Sequence, residues 1–136
     1  MKKIIVLLMC MVVLTSSTMT AMAAEGSEIM PLMEYISYAR AAIYIDDNGV
    51  ATISCNVYGH QGITTKVTVT AELQRLQNGK WVPLKTYSTT SYTYRARISQ
   101  EYSVSPGYSY RVQATVVAYS GALSERQTVT SSIASY

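Results

Sequence analysis

The sequence predicts an all-β chain folded as an antiparallel β-sandwich of about seven strands. Apolar and polar residues alternate with a period of two along several stretches, which is typical of strands that bury one face. Turn-forming residues separate these stretches at spacings of roughly ten residues, and no helical period interrupts them. Short strands at that spacing are the pattern of a sandwich of two packed antiparallel sheets.

The N-terminus has the three parts of a secretory signal peptide, which we assign to residues 1–23. Two lysines precede an apolar run from Ile4 to Leu14, and the small residues Ala21 and Ala23 precede the expected cleavage site. The run is shorter than the roughly 20 apolar residues that a membrane-spanning helix needs. We therefore expect a mature product that is released, extracellular and not held in a membrane.

The remaining chain is divided into a flexible N-terminal segment, residues 24–37, and one β-sandwich domain, residues 38–136. The whole sequence has 11 Lys and Arg against 8 Asp and Glu; two of the lysines lie in the leader, which leaves 9 against 8 and a net charge of +1. This balance, with no basic stripe among aromatics, argues against nucleic acid as a partner. Only Cys55 remains outside the leader, so an internal disulfide is impossible and we expect a self-sufficient monomer.

The clearest strand follows the turn residues Ser105, Pro106 and Gly107. Alternate side chains beyond this turn are apolar, namely Tyr108, Tyr110, Val112, Ala114 and Val116. The side chains between them are largely polar, so the strand is expected to bury one face. A turn at residues 120–121 then leads to a last strand at about residues 125–133.

Two hairpins are predicted before that strand. A short strand at residues 42–45 and a strand at residues 50–58 flank a turn at 46–49, and the apolar parity of the longer strand predicts that Cys55 is buried. A third strand, residues 63–73, precedes Asn78-Gly79, the pair that a type I′ turn prefers. Trp81 then begins the fourth strand, in which Pro83 indicates an edge position that a partner strand could extend.

Tyrosine is the predicted core aromatic, because the sequence has 12 Tyr and no Phe. A polar turn is expected at residues 88–91, followed by a fifth strand at 92–98 with Arg95 and Arg97 on its outward face. Alternation assigns to the core the four residues Tyr92, Tyr94, Tyr108 and Tyr110. Tyr58 and Tyr119 share parity with polar residues, and exposed tyrosines of this kind can form a binding surface.

These residues resemble a fibronectin type III domain of the wider immunoglobulin-like group, from about residue 42 to residue 133. The family pattern is matched by Val104, Pro106, Tyr110, Val112 and Ala114. The resemblance implies that Tyr110 is a tyrosine corner, which hydrogen-bonds to backbone upstream. This sequence departs from the family pattern because it has no Trp in the second strand and no Arg-Gly-Asp. The leader and single β domain are also similar to small secreted proteins of Gram-positive bacteria, a likeness that carries no activity.

The sheet order implied by this resemblance places the third strand beside the sixth. The outward side chains would then form one flat polar face, with Lys66, Thr68, Thr70 and Glu72 beside Arg111, Gln113 and Thr115. Such a face is either an ordinary solvated sheet surface or a surface for a partner. The candidate partner-binding residues are Lys66, Thr68, Thr70, Arg111, Gln113 and Tyr119, while Tyr110, Trp81 and Cys55 are assigned structural roles.

No catalytic, metal or cofactor site is predicted. His60 is the only histidine, and along an extended strand it would lie about 16 Å from Cys55, too far for a nucleophile and its base. The carboxylates at positions 46 and 47 fit a plain turn better than a calcium loop. We expect a non-enzymatic module that binds a protein or a cell-envelope glycan; the alternatives are a small inhibitor or toxin-like effector and a hydrolase whose site the sequence does not reveal.

Overall fold

The computed structural model describes residues 33–136, which form strands and turns without a helix. The eight strands are β1 (Ile36–Ile45), β2 (Val50–Gly59), β3 (Lys66–Gln77), β4 (Lys80–Ser91), β5 (Arg95–Ser103), β6 (Ser109–Ser120), β7 (Leu123–Thr130) and β8 (Ala134–Ser135). Within these residues there is accordingly no helix able to cross a membrane. The predicted leader, residues 1–23, lies outside the described residues.

The strands form two antiparallel sheets, which confirms the predicted β-sandwich class. The three-stranded sheet has the order β1-β2-β5, and the five-stranded sheet has the order β4-β3-β6-β7, with the short β8 paired to β6. The third strand lies beside the sixth, as the sequence resemblance implies, and the fifth lies in the other sheet. The fourth strand is an edge strand, in agreement with the position predicted from Pro83.

The core lies between the inward faces of the two sheets. Its largest fully buried side chains are Tyr110, Ile53, Leu73, Val57, Val67, Val69, Val112, Val116 and Cys55. These residues follow the predicted alternation on β2, β3 and β6, because every second side chain of a strand points to the same face. Burial of each large aliphatic side chain contributes about 1.5–3 kcal/mol, which makes these three strands the main source of stability.

The two predicted hairpin turns form as their residues require. In the first, the Asp46 carboxylate accepts hydrogen bonds from the backbone N–H groups of Asn48 and Val50, both at 2.9 Å. In the second, Asn78 and Gly79 have φ values of 51° and 76°, the positive angles of a type I′ turn. Both turns therefore fix the pairing of the strands that they join.

Strand boundaries differ from prediction at several places. The third strand covers Lys66–Gln77 instead of residues 63–73, the fifth covers Arg95–Ser103 instead of 92–98, and β7 covers Leu123–Thr130 instead of about 125–133. β1 begins at Ile36 rather than residue 42, because its backbone pairs with the full length of β2. The expected turn at residues 88–91 is wrong, since these residues continue β4. Ser88 pairs with Thr70 and Thr90 with Thr68, so hydrogen bonding to β3 decides the conformation of a segment whose polar composition suggests a turn.

The core assignment of the tyrosines is correct for Tyr110 and wrong for two others. Tyr110 is fully buried, whereas Tyr92 is 82% exposed and Tyr108 is 36% exposed. Tyr94 is half-buried. Tyr92 and Tyr94 lie in the bend between β4 and β5 and Tyr108 lies before β6, so the alternation of a regular strand does not apply to them.

The start of the sandwich is fastened to its body by Glu125. The carboxylate of Glu125 accepts backbone hydrogen bonds from Glu34, Tyr35 and Ile36 at 2.9, 2.8 and 3.1 Å. The Thr64 hydroxyl also donates to the Tyr35 carbonyl at 2.6 Å. Because one charged group satisfies three neighbouring donors, residues 34–36 are held against the five-stranded sheet.

Candidate functional site

The predicted partner-binding residues lie together on the outward face of the five-stranded sheet. The pairing of β3 with β6 sets Lys66 opposite Tyr119, Thr70 opposite Thr115 and Glu72 opposite Gln113, as expected. We call this surface the polar face; its predicted members are Lys66, Thr68, Thr70, Glu72, Arg111, Gln113, Thr115 and Tyr119.

One end of the polar face carries a connected set of side chains around Arg111. The Arg111 Nε donates to the Gln74 Oε1 at 2.7 Å, and the Gln74 Nε2 donates to the Glu72 Oε1 at 2.7 Å and to the Gln113 Oε1 at 3.4 Å. The Arg111 guanidinium also lies 4.3 Å from the centre of the Trp81 ring. The hydrogen bond to Gln74 and the stacking on Trp81 therefore fix the orientation of this cation before any partner arrives.

Sequence reasoning missed the role of Gln74. This residue is only 6% exposed, although it lies on an outward-facing strand position. Its amide is an acceptor for one neighbour and a donor for two others, so it joins the charged groups of Glu72 and Arg111. The alternation of β3 places Gln74 on the polar face, but only the pairing with β6 shows that Arg111 is its neighbour.

Hydroxyl groups and a second cation cover the rest of the polar face. The Lys66 Nζ lies 4.0 Å from the centre of the Tyr119 ring. Thr68 and Thr90 share a hydroxyl hydrogen bond at 3.2 Å, and the Ser88 hydroxyl donates to that of Thr70 at 3.1 Å. The edge strand β4 thus extends the polar face by a further row of side chains.

A second group of charged, polar and aromatic side chains lies on the outward face of the three-stranded sheet. The pairing of β1, β2 and β5 produces two rows across the strands, Arg40–Asn56–Arg97 and Tyr38–Tyr58–Arg95. We call these six residues the arginine–tyrosine cluster. Alternation predicts that Arg95 and Arg97 point outward from β5. Their grouping with the other four residues depends on the strand register, which joins residues up to 57 positions apart, from Arg40 to Arg97.

Aromatic contacts order part of this cluster. The rings of Tyr38 and Tyr58 are 5.8 Å apart and tilted by 55°. The Arg95 guanidinium lies 5.7 Å from the Tyr58 ring and 4.8 Å from the Tyr94 ring. Beside these rings is an open depression of about 420 Å³, lined by Tyr38, Asn56, Tyr58 and Arg97. A ring-shaped or chain-like ligand could therefore lie across the strands with cations on both sides.

The side chains considered for nucleophilic chemistry have other surroundings. Cys55 is fully buried, and burial raises the pKa of its thiol from 9.0 to about 11, which disfavours the reactive thiolate. The His60 Nε2 lies 3.3 Å from the backbone carbonyl of Met33. Asp46 hydrogen-bonds within its own turn, and between residues 33 and 136 no three His, Cys, Asp or Glu side chains gather as a metal site.

Comparison with known proteins does not add a family or an activity. The chain matches no protein-family model and no curated protein. The chemistry of the polar face and of the arginine–tyrosine cluster is therefore what bears on function.

Proposed function

We propose that this chain is a secreted, non-enzymatic module that binds a protein or a cell-envelope glycan through the polar face. The observation that supports this proposal most is the fixed position of Arg111, which is hydrogen-bonded to Gln74 and stacked on Trp81. A side chain already held in one orientation loses little conformational entropy when a partner binds. Arginine, tryptophan and tyrosine are also the residue types that contribute most to binding energy at interfaces.

We further propose that the sandwich is of the fibronectin type III kind. The position of β3 beside β6, with β5 in the opposite sheet, supports this relation. So does the hydrogen bond from the hydroxyl of Tyr110 to the carbonyl of Ser105, which is the contact expected of a tyrosine corner. This fold supplies a rigid support for an exposed sheet face and does not by itself specify a ligand.

The polar face has the form of a contact surface rather than of a substrate pocket. Its side chains stand on the flat outward side of neighbouring strands, and hydroxyl pairs such as Thr68 with Thr90 leave lone pairs and hydrogens for a ligand. Arg111 and Tyr119 lie on the same strand, toward opposite ends of this face. A partner that covered both would therefore lie along β6.

Affinity capture tests this proposal. The immobilised chain is exposed to envelope fractions and secreted proteins of the producing cell, beside the double variant Arg111→Ala, Tyr119→Ala. A control variant, Lys85→Ala, Tyr92→Ala, removes one cation and one tyrosine outside the polar face. We expect the wild type and the control to retain the same component. The double variant Arg111→Ala, Tyr119→Ala should retain at least tenfold less of it.

Two results would contradict the proposal. Equal retention by all three proteins would show that the polar face is not the binding surface. The absence of any retained component would count against a partner in the envelope or among the secreted proteins. Circular dichroism and the unfolding midpoint of each variant establish that the fold is intact in either case.

A further inference from the structure

The arginine–tyrosine cluster combines positive charge with exposed aromatic rings on the sheet opposite the polar face. Arg40, Arg95 and Arg97 are exposed. Within residues 33–136, no ion pair joins any of these three guanidinium groups to a carboxylate. Three unneutralised cations on β1 and β5, the two strands that flank β2, attract an anion, and they do so most strongly at low ionic strength.

Asn56 lies at the centre of these charges. In the register of the sheet it has Arg40 on one side and Arg97 on the other. Its side-chain amide makes no hydrogen bond to another residue of the described chain. The amide can therefore donate to an anion that the two guanidinium groups hold, and strands about 4.8 Å apart bring all three side chains within reach of one such group.

The next row supplies a surface for an uncharged part of the ligand. Tyr38 and Tyr58 are 41% exposed each, and both line the depression that also contains Asn56 and Arg97. Tyrosine presents an apolar ring face together with a polar hydroxyl, so it can pack against the ring of a sugar and hydrogen-bond to its hydroxyl groups. The side chains that would bind a charged group therefore lie next to those that would pack against a sugar ring.

We propose that the arginine–tyrosine cluster is a second binding site, which takes a phosphate group carried by a saccharide of an anionic glycan. Guanidinium forks match phosphate oxygens, and a tetrahedral phosphate can accept hydrogen bonds from Arg40, Asn56 and Arg97 in different directions. The sugar ring then lies on Tyr38 and Tyr58. This ligand class rests on the proposed role as an extracellular binding module.

A saccharide fits these observations better than a nucleic acid does. Binding of nucleic acid through its backbone draws its affinity from many phosphate contacts, on the order of 6–10 in a strongly salt-dependent complex, whereas this cluster has three cations. The chain beyond the predicted leader carries a net charge of only +1, from 9 basic and 8 acidic residues, so no basic track continues from the cluster. The cluster is large enough for one or two charged units of a polymer.

The test measures binding of the chain, expressed from its full sequence, to phosphomannan, to the same polymer after removal of its phosphate, and to single-stranded oligothymidylate. We expect binding to phosphomannan that weakens several-fold between 50 and 300 mM salt. The variant Arg40→Gln, Arg97→Gln should bind at least tenfold more weakly, and Tyr58→Ser several-fold more weakly. The control variant Arg126→Gln, Lys80→Gln also loses two positive charges, but from exposed positions of the five-stranded sheet. It should bind phosphomannan as tightly as the wild type does.

Four outcomes would overturn the proposal. The first is that the wild type does not bind phosphomannan, and the second is that it binds the dephosphorylated polymer equally well. The third is that the control Arg126→Gln, Lys80→Gln loses as much affinity as Arg40→Gln, Arg97→Gln does. The fourth is that the wild type binds oligothymidylate as tightly as phosphomannan. Failure here is distinguishable from failure of the polar face, because the variant Arg111→Ala, Tyr119→Ala leaves the cluster unchanged. That variant should retain phosphomannan binding whatever happens to its capture of a partner.

Discussion

The hydroxyl of Tyr110, on β6, donates a hydrogen bond to the backbone carbonyl of Ser105 and so ties the preceding loop to the core. The variant Tyr110→Phe keeps the buried ring and removes this bond. We expect the free energy of unfolding to fall by about 1–2 kcal/mol, the usual cost of losing one buried hydrogen bond. Urea unfolding measures the change. In the control Tyr44→Phe the side chain is 68% exposed, and a loss as large there would contradict the explanation.

The three backbone donors held by Glu125 predict a local effect. In Glu125→Ala the N–H groups of residues 34–36 lose a charged acceptor, so the N-terminal end of β1 should open more often. Amide hydrogen exchange of these residues should accelerate by at least tenfold, and the free energy of unfolding should fall by about 1–3 kcal/mol. Glu101→Ala removes an exposed carboxylate from β5 and serves as the control. Unchanged exchange at residues 34–36 would show that Glu125 does not hold this segment.

The stacking of Arg111 on Trp81 can be measured without a ligand, because Trp81 is the only tryptophan. In Arg111→Ala the indole ring loses its cover, so acrylamide should quench its fluorescence more strongly than in the wild type. A double-mutant cycle with Trp81→Leu should give a coupling energy of about 0.5–1 kcal/mol. Arg126→Ala, a change on β7, should leave the quenching as it is. A coupling energy of zero would mean that the stack does not order Arg111.

Burial of Cys55 predicts a loss of stability at alkaline pH. The thiol is neutral when protonated, and its pKa is about 11 in the folded chain against 9.0 for an unperturbed group. Between these two values the unfolded chain releases the proton while the folded chain keeps it. The free energy of unfolding should therefore fall by about 2 kcal/mol from pH 9 to pH 11, and this contribution is fully present below pH 9.

Tyrosines also titrate in that pH range, so the effect of Cys55 is read from the difference between the wild type and Cys55→Ala. Both proteins carry the same tyrosines. The stability advantage of the wild type should shrink as the pH rises from 9 to 11. A constant difference across this range would contradict the assigned pKa.

Period-two alternation predicts the buried faces of β2, β3 and β6 because these strands are paired on both sides and face the core along their length. The same alternation does not predict the edge strand β4 and the bend that follows it. Residues 88–91 are polar and look like a turn, yet their pairing with β3 keeps them in β4. Tyr92 occupies a position that alternation assigns to the buried face of a strand, yet it lies in a bend and is exposed. Local composition cannot report which strand lies next to a segment, and that neighbour decides both cases.

The same physical limit applies to the two surfaces. The polar face was predictable because the resemblance supplied the order of β3 and β6, and alternation then gave the outward residues. The arginine–tyrosine cluster needs the register of three strands at once, since Arg40, Asn56 and Arg97 become neighbours only when β1, β2 and β5 pair. Only the pairing itself reveals this row.

The attachment of residues 34–36 has a mechanical consequence. Met33 lies near His60, beside the end of β2, whereas Tyr136 packs close to Gly49, at the start of β2. The two ends of the described chain are therefore separated by about the length of a ten-residue strand, roughly 30 Å. Tension between them would run along the strands, and at the N-terminal end it would load the hydrogen bonds of the β1–β2 pair together, in shear, instead of opening them one after another.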